Sequence, residues 1–154
     1  MKQFFIILFL FISLPCCFAQ DNWYENQKKL YEQAEKGDKD ALSAFMSLFK
    51  HADAHYAETL TENLTDFCFK HPELVLKYWK LLMSEDNERS TTFALEYLCT
   101  EHPGAEIKKA YLKHCKKSDP RYQTILKIVE KAEADKKVKL VFTKYAVTRK
   151  MDEK

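Results

Sequence analysis

A chain of 154 residues, 46% of them hydrophobic, with 25 Lys+Arg against 23 Asp+Glu, has the length and apolar content of one globular domain. Its two glycines and four prolines are too few for the turns a sheet protein of this size needs, so composition excludes a β-rich fold and argues for long helices with short connections. The near-neutral total is uneven: residues 21–102 hold 9 Lys+Arg against 16 Asp+Glu, and residues 103–154 hold 15 against 7. An acidic part and a basic part make a charge dipole. Its basic end either meets an anionic partner or simply solvates the outer faces of the last helices.

The first segment is Met1-Lys2-Gln3, followed by an apolar run from Phe4 to Leu14. That run has signal-peptide length and falls short of the roughly 20 residues a membrane-spanning helix needs. Cys17-Phe18-Ala19 sets small residues three back and one back from a cut before Gln20, as a leader peptidase requires. Residues 1–19 therefore read as a removed, bacterial-type export signal, which implies a periplasmic or secreted protein without a transmembrane helix in residues 20–154. The alternative is a lipoprotein anchored at Cys16 or Cys17, although Pro15 or Cys16 would then stand where a small residue is wanted before the lipidated cysteine.

Residues 20–154 read as a single helical domain. Trp23, Leu30, Tyr31 and Ala34 form a first helical stripe, and Gly37 marks its end. Asp38 can cap a second helix bearing Ala41, Phe45, Leu48 and Phe49, and His51 to Ala54 reads as a connection. A third stripe carries Tyr56, Leu60, Leu64, Phe67 and Cys68. Pro72 opens a fourth helix with Leu74, Val75, Tyr78, Trp79 and Leu82 as its inner face, because proline suits a first helical turn. Ser84 to Asn87 is a break. The fifth helix presents Phe93, Ala94, Tyr97 and Leu98, and the sixth, opened by Pro103, presents Ile107, Ala110, Tyr111 and His114. Asp119-Pro120 starts a seventh with Tyr122, Ile125, Leu126 and Val129. From Lys136 to Lys150 the pattern fits two periods. Val138, Leu140 and Phe142 alternate as in a strand, yet a lone strand would leave its backbone unpaired, which favours helix.

One stretch repeats. Cys68-Phe69-Lys70-His71-Pro72 returns as Cys99-Thr100-Glu101-His102-Pro103, 31 residues later and again followed by an apolar run. That spacing suits a pair of packed helices, with units near 54–84 and 85–117. The arrangement resembles the HEAT-like and tetratricopeptide-like helical repeats, and is most HEAT-like at His71-Pro72-Glu73-Leu74-Val75-Leu76. The resemblance is architectural. The Trp, Gly and Tyr signature of tetratricopeptide units and the regular Asp and Arg of HEAT units are absent. It implies an all-α fold, a short right-handed α-α superhelix of about seven or eight antiparallel helices, whose extended surface binds protein or peptide.

Several residues invite chemistry. Cys68, His71, Cys99 and His102 supply four ligand types suited to zinc, but equivalent residues of stacked repeats stand about 8–10 Å apart. That is too far for four bonds of about 2.0–2.3 Å to one ion, or for a Cys68–Cys99 disulfide. They read instead as core fillers and helix ends, and Cys68, Cys99 and Cys115 as free thiols. His51, His55 and Glu58 share one helical face and are a weak metal candidate. Ala52 stands where the zincin motif places its glutamate, and Asp53 is better placed to begin the helix and leave His51 outside it. No Gly-rich phosphate loop, dinucleotide fingerprint or nucleophile elbow is present, so no cofactor and no catalytic residue is expected. Asn63-Leu64-Thr65 matches a glycosylation sequon formally, but with Leu64 directed inward.

The function expected is thus non-enzymatic: an exported adaptor or immunity-type inhibitor that binds a protein or peptide in the cell envelope. The alternative docks on anionic lipid or glycan through the basic C-terminal segment, with Lys136, Lys137, Lys139 and Lys144 as contacts. A small metal-dependent enzyme using His51, His55 and Glu58 ranks third. Nucleic acid is not an expected partner of an exported chain.

Overall fold

The computed structural model describes residues 22–152, with side-chain surroundings as far as residue 136. The leader at 1–19, including Cys16 and Cys17, lies outside the described residues. Those residues form eight helices and no strand, an all-α fold compatible with a helical-repeat architecture. The chain divides into two compact units, Met1–His51 and Ala52–Lys154.

In the first unit, α1 spans 22–35 and α2 spans Lys39–Leu48. Gly37 ends α1 in the left-handed region, φ 87°, where a residue with a Cβ is strained. Its N–H donates to the Ala34 carbonyl at 2.9 Å and that of Asp38 to Gln33 at 3.2 Å, so two otherwise orphaned carbonyls are satisfied by a Schellman-type turn. The Asp38 carboxylate then accepts from the N–H groups of Asp40 and Ala41 at 2.9 and 3.1 Å, opening α2 with charge-assisted bonds on its positive end. Tyr31 meets Phe45 with ring centroids 6.0 Å apart, and Ala34, Leu42, Phe45 and Met46 are buried.

The second unit holds α3 (Ala54–Lys70), α4 (Pro72–Lys77), α5 (Trp79–Leu82), α6 (Glu88–Glu101), α7 (Gly104–Leu112) and α8 (Pro120–Asp152). Asp53 caps α3 by accepting from the Tyr56 N–H at 3.0 Å, which leaves His51 outside the helix. α6 is the central element: it packs against α3 on one side and α8 on the other, while α7 lies on α8 and α4 on α3 and α7. Leu60, Leu64, Phe67, Val75, Leu82, Leu95, Leu98, Ile107, Tyr111, Ile125 and Val129 fill the core.

Three expectations from periodicity change here. The fourth helix is broken at Tyr78 (φ −101°, ψ 21°) into α4 and α5. The break has a physical cause, because Arg121 donates to the Leu76 carbonyl at 2.7 Å. That is the carbonyl the Lys80 N–H would take in an unbroken helix, and a side chain inserted into the ladder kinks it. In α6 the buried face is Thr91, Ala94, Leu95, Leu98 and Cys99, so Phe93 and Tyr97 point outward rather than in. His114 is not inward: α7 ends at Leu112, and His114 follows in the exposed turn. The segment beyond Lys136 is helix, as the unpaired backbone of a lone strand favours, and it continues the seventh predicted helix as one 33-residue α8.

Candidate functional site

The doubled Cys-x-x-His-Pro stretch forms two turns built alike. At the end of α3 the His71 N–H donates to the Phe67 carbonyl, and at the end of α6 the His102 N–H donates to that of Leu98, both at 3.0 Å. The backbone of each histidine thus closes the helix before it. The next carbonyl in each helix, that of the cysteine, is met by a side chain from a later element. Tyr111 Oη donates to the Cys68 carbonyl at 2.8 Å, and Lys136 Nζ to that of Cys99 at 3.2 Å. The imidazole of His102 stacks on Phe69 of the first turn, centroids 3.6 Å apart and 15° from parallel.

None of the three thiols is activated as a thiolate. Burial pushes Cys68 up from 9.0 to about 12, and Cys99 is raised by burial first and then by the nearby Glu133 carboxylate. Cys115 is raised as well, by burial and then by Asp119. All three are free, and none is poised as a thiolate ligand or nucleophile at neutral pH. Among the described residues no three His, Cys, Asp or Glu side chains gather to hold a metal ion. His51 stands in the turn after α2, whereas His55 and Glu58 are exposed in the first turns of α3. Elsewhere His71 Nδ1 lies 3.6 Å and His114 Nε2 3.8 Å from the two oxygens of Glu73, a half-exposed cluster linking α4 to the turn after α7.

Of the basic candidates, Lys136 is occupied in holding the end of α6, donating to Cys99 and, at 3.5 Å, to the Thr100 carbonyl. One turn earlier, Glu133 Oε1 accepts from the Gly104 N–H at 3.0 Å, at the start of α7. α8 therefore sets an anion on the positive end of α7 and a cation on the negative end of α6. A Cβ at Gly104 would enter the space that the Glu133 carboxylate occupies. The side chains of Lys137, Lys139 and Lys144 lie outside the described residues.

What remains is the outer face of α6. Phe93 is 55% and Tyr97 37% exposed, the large hydrophobic side chains that stand in solvent among the described residues. They are four residues apart, hence neighbours on the helix surface. Sequence reasoning put them inside because aromatic residues at helical spacing usually mark a core. The stronger signal was aliphatic: Leu95 and Leu98, with Thr91, set a different phase. Thr91 Oγ1 donates to the Leu82 carbonyl at 2.7 Å and so belongs in the core despite its hydroxyl. No helix among the described residues is long and apolar enough to cross a membrane. Neither a protein-family model nor a curated protein nor a solved structure matches the chain.

Proposed function

We propose that this chain is an exported, non-enzymatic helical-repeat protein, HEAT-like in construction and coiling as a short right-handed superhelix. Its task is to bind another protein or a peptide in the cell envelope, as an adaptor or an immunity-type inhibitor. One observation carries the reading: two adjacent aromatic side chains, Phe93 and Tyr97, stand exposed on a helix whose other face is wholly buried. Exposed aromatic pairs are costly to leave in water and are enriched at the energetic centres of interfaces. The test is a photo-crosslinking residue at position 93, expressed in the native envelope. Crosslinking to one stoichiometric protein partner is the expected outcome. If position 93 crosslinks to nothing while the protein is retained by lipid, the reading is wrong.

A second reading rests on charge. Residues 103–154 carry 15 Lys+Arg against 7 Asp+Glu, which suits an anionic lipid or glycan surface. It requires binding to anionic vesicles that weakens as salt is added.

A further inference from the structure

The partner's chemistry can be read from what lies beside the aromatic pair, given the protein-binding reading above. α3 and α6 run side by side in a register anchored at two points. Thr65 Oγ1 lies 3.3 Å from the Ala94 carbonyl, and Phe69 stacks on His102. These pairs are separated by 29 and 33 residues, which brackets the 31-residue repeat. By the 31-residue shift of the repeat, Glu62 is the α3 counterpart of Phe93, Asp66 of Tyr97 and Glu58 of Arg89. Glu58 and Glu62 are exposed, and Asp66 is half-exposed in an ion pair with Lys70 at 2.7 Å. The outer ridge of α3 is thus a line of carboxylates four residues apart, parallel to the aromatic ridge of α6. Acidic residues continue along α6 and in the segments flanking it: from Leu81 to Ile107 the chain has carboxylates at Glu85, Asp86, Glu88, Glu96, Glu101 and Glu106, and one Lys or Arg, Arg89. Glu96, on the α8 side of α6, is already paired with Lys131 of α8 at 3.6 Å, which leaves the α3 ridge as the acidic partner of the aromatic pair.

We propose that the α3–α6 face docks a cationic amphipathic segment of a partner protein. Apolar side chains of that segment cover Phe93 and Tyr97, and its Lys or Arg residues meet Glu58, Glu62 and Asp66. Aromatic faces next to carboxylates suit lysine and arginine doubly, through cation–π contact and ion pairing.

The test uses the mature protein and a fluorescein-labelled Lys/Leu amphipathic helical peptide, read by anisotropy. Its controls are a Glu/Leu peptide of equal length and a Lys/Leu peptide of the same composition with the amphipathic order scrambled. The amphipathic Lys/Leu peptide is expected to bind, and the controls to bind at least about tenfold more weakly. Phe93→Ala with Tyr97→Ala lowers its affinity by roughly tenfold or more, the loss expected of interface anchors. Glu58→Lys with Glu62→Lys lowers it further and flattens its salt dependence. All four positions are at the surface, and far-UV circular dichroism verifies that the variants remain folded. Equal binding of the Glu/Leu or the scrambled peptide, or indifference to both double substitutions, overturns the proposal. So does a self-associated wild type that Phe93→Ala with Tyr97→Ala converts to monomer in sedimentation, which would make a second copy the occupant. A native partner that crosslinks at position 93 through an acidic segment overturns the cationic assignment and leaves the protein-binding reading intact, so the two fail separately.

Discussion

Tyr111→Phe isolates a single hydroxyl in the middle of the second unit. The ring is fully buried, and its Oη donates to the Cys68 carbonyl at 2.8 Å, so α7 supplies the cap that the last turn of α3 lacks. Phenylalanine keeps the ring and its packing, and removes only the donor. The Cys68 carbonyl is then left without that partner where Tyr111 shields it from water. Loss of a buried neutral hydrogen bond that strands its acceptor costs about 1–3 kcal/mol. At roughly 2–4 °C per kcal/mol for a chain of this size, the melting temperature should fall by about 2–12 °C. Urea unfolding followed by circular dichroism measures the loss as a lower midpoint at unchanged slope. A loss below about 0.5 kcal/mol would refute the capping role, because the acceptor must then have found water or another donor.

Three further outcomes follow from the same geometry. Under native conditions a thiol reagent should modify half-buried Cys115 first, with Cys68 and Cys99 reacting only as the protein unfolds; early modification of Cys68 contradicts its burial. Stability should fall in alkali. Cys68 is raised from 9.0 to about 12 and Tyr111 well above 10.0, so the unfolded chain loses these protons first. The Cys68 contribution is complete below about pH 9 and is lost as pH rises through about 12, and Cys68→Ala should reduce that slope in pH-dependent denaturation. Gly104→Ala should cost no more than about 1 kcal/mol, because the displaced Glu133 carboxylate is a flexible end and alanine favours helix. A large loss in thermal unfolding would mean that Glu133 cannot move.

Much of the fold was legible wherever the chain carries local chemistry. Pro72, Pro103 and Pro120 stand at helix starts, Asp38 and Asp53 cap, and Gly37 takes the left-handed turn the sequence asked of it. These features act within a few residues and need no knowledge of the rest. What escaped reading depends on distant partners. Nothing near Tyr78 announces a break, because its cause, Arg121, arrives 45 residues after the carbonyl it captures. The candidate site was missed for a related reason. α6 bears two overlapping stripes, and only packing against α3 and α8 decides that the aliphatic one is inside and Phe93 and Tyr97 are not. Lys136 could be named as basic, but not as the residue that closes α6.

The pair Glu133 and Lys136 gives α8 a heading. A helix of this length could lie along α6 and α7 in either sense and bury a comparable strip of side chains. Only one sense brings a carboxylate to the N–H of Gly104 and an ammonium to the carbonyls of Cys99 and Thr100. Reversed, or slid by one turn, α8 would lose both contacts and could set like charges on both poles. Two side chains three residues apart thus act as a compass needle for the longest element of the protein, and exchanging them, Glu133→Lys with Lys136→Glu, should disorient α8 more than either substitution alone.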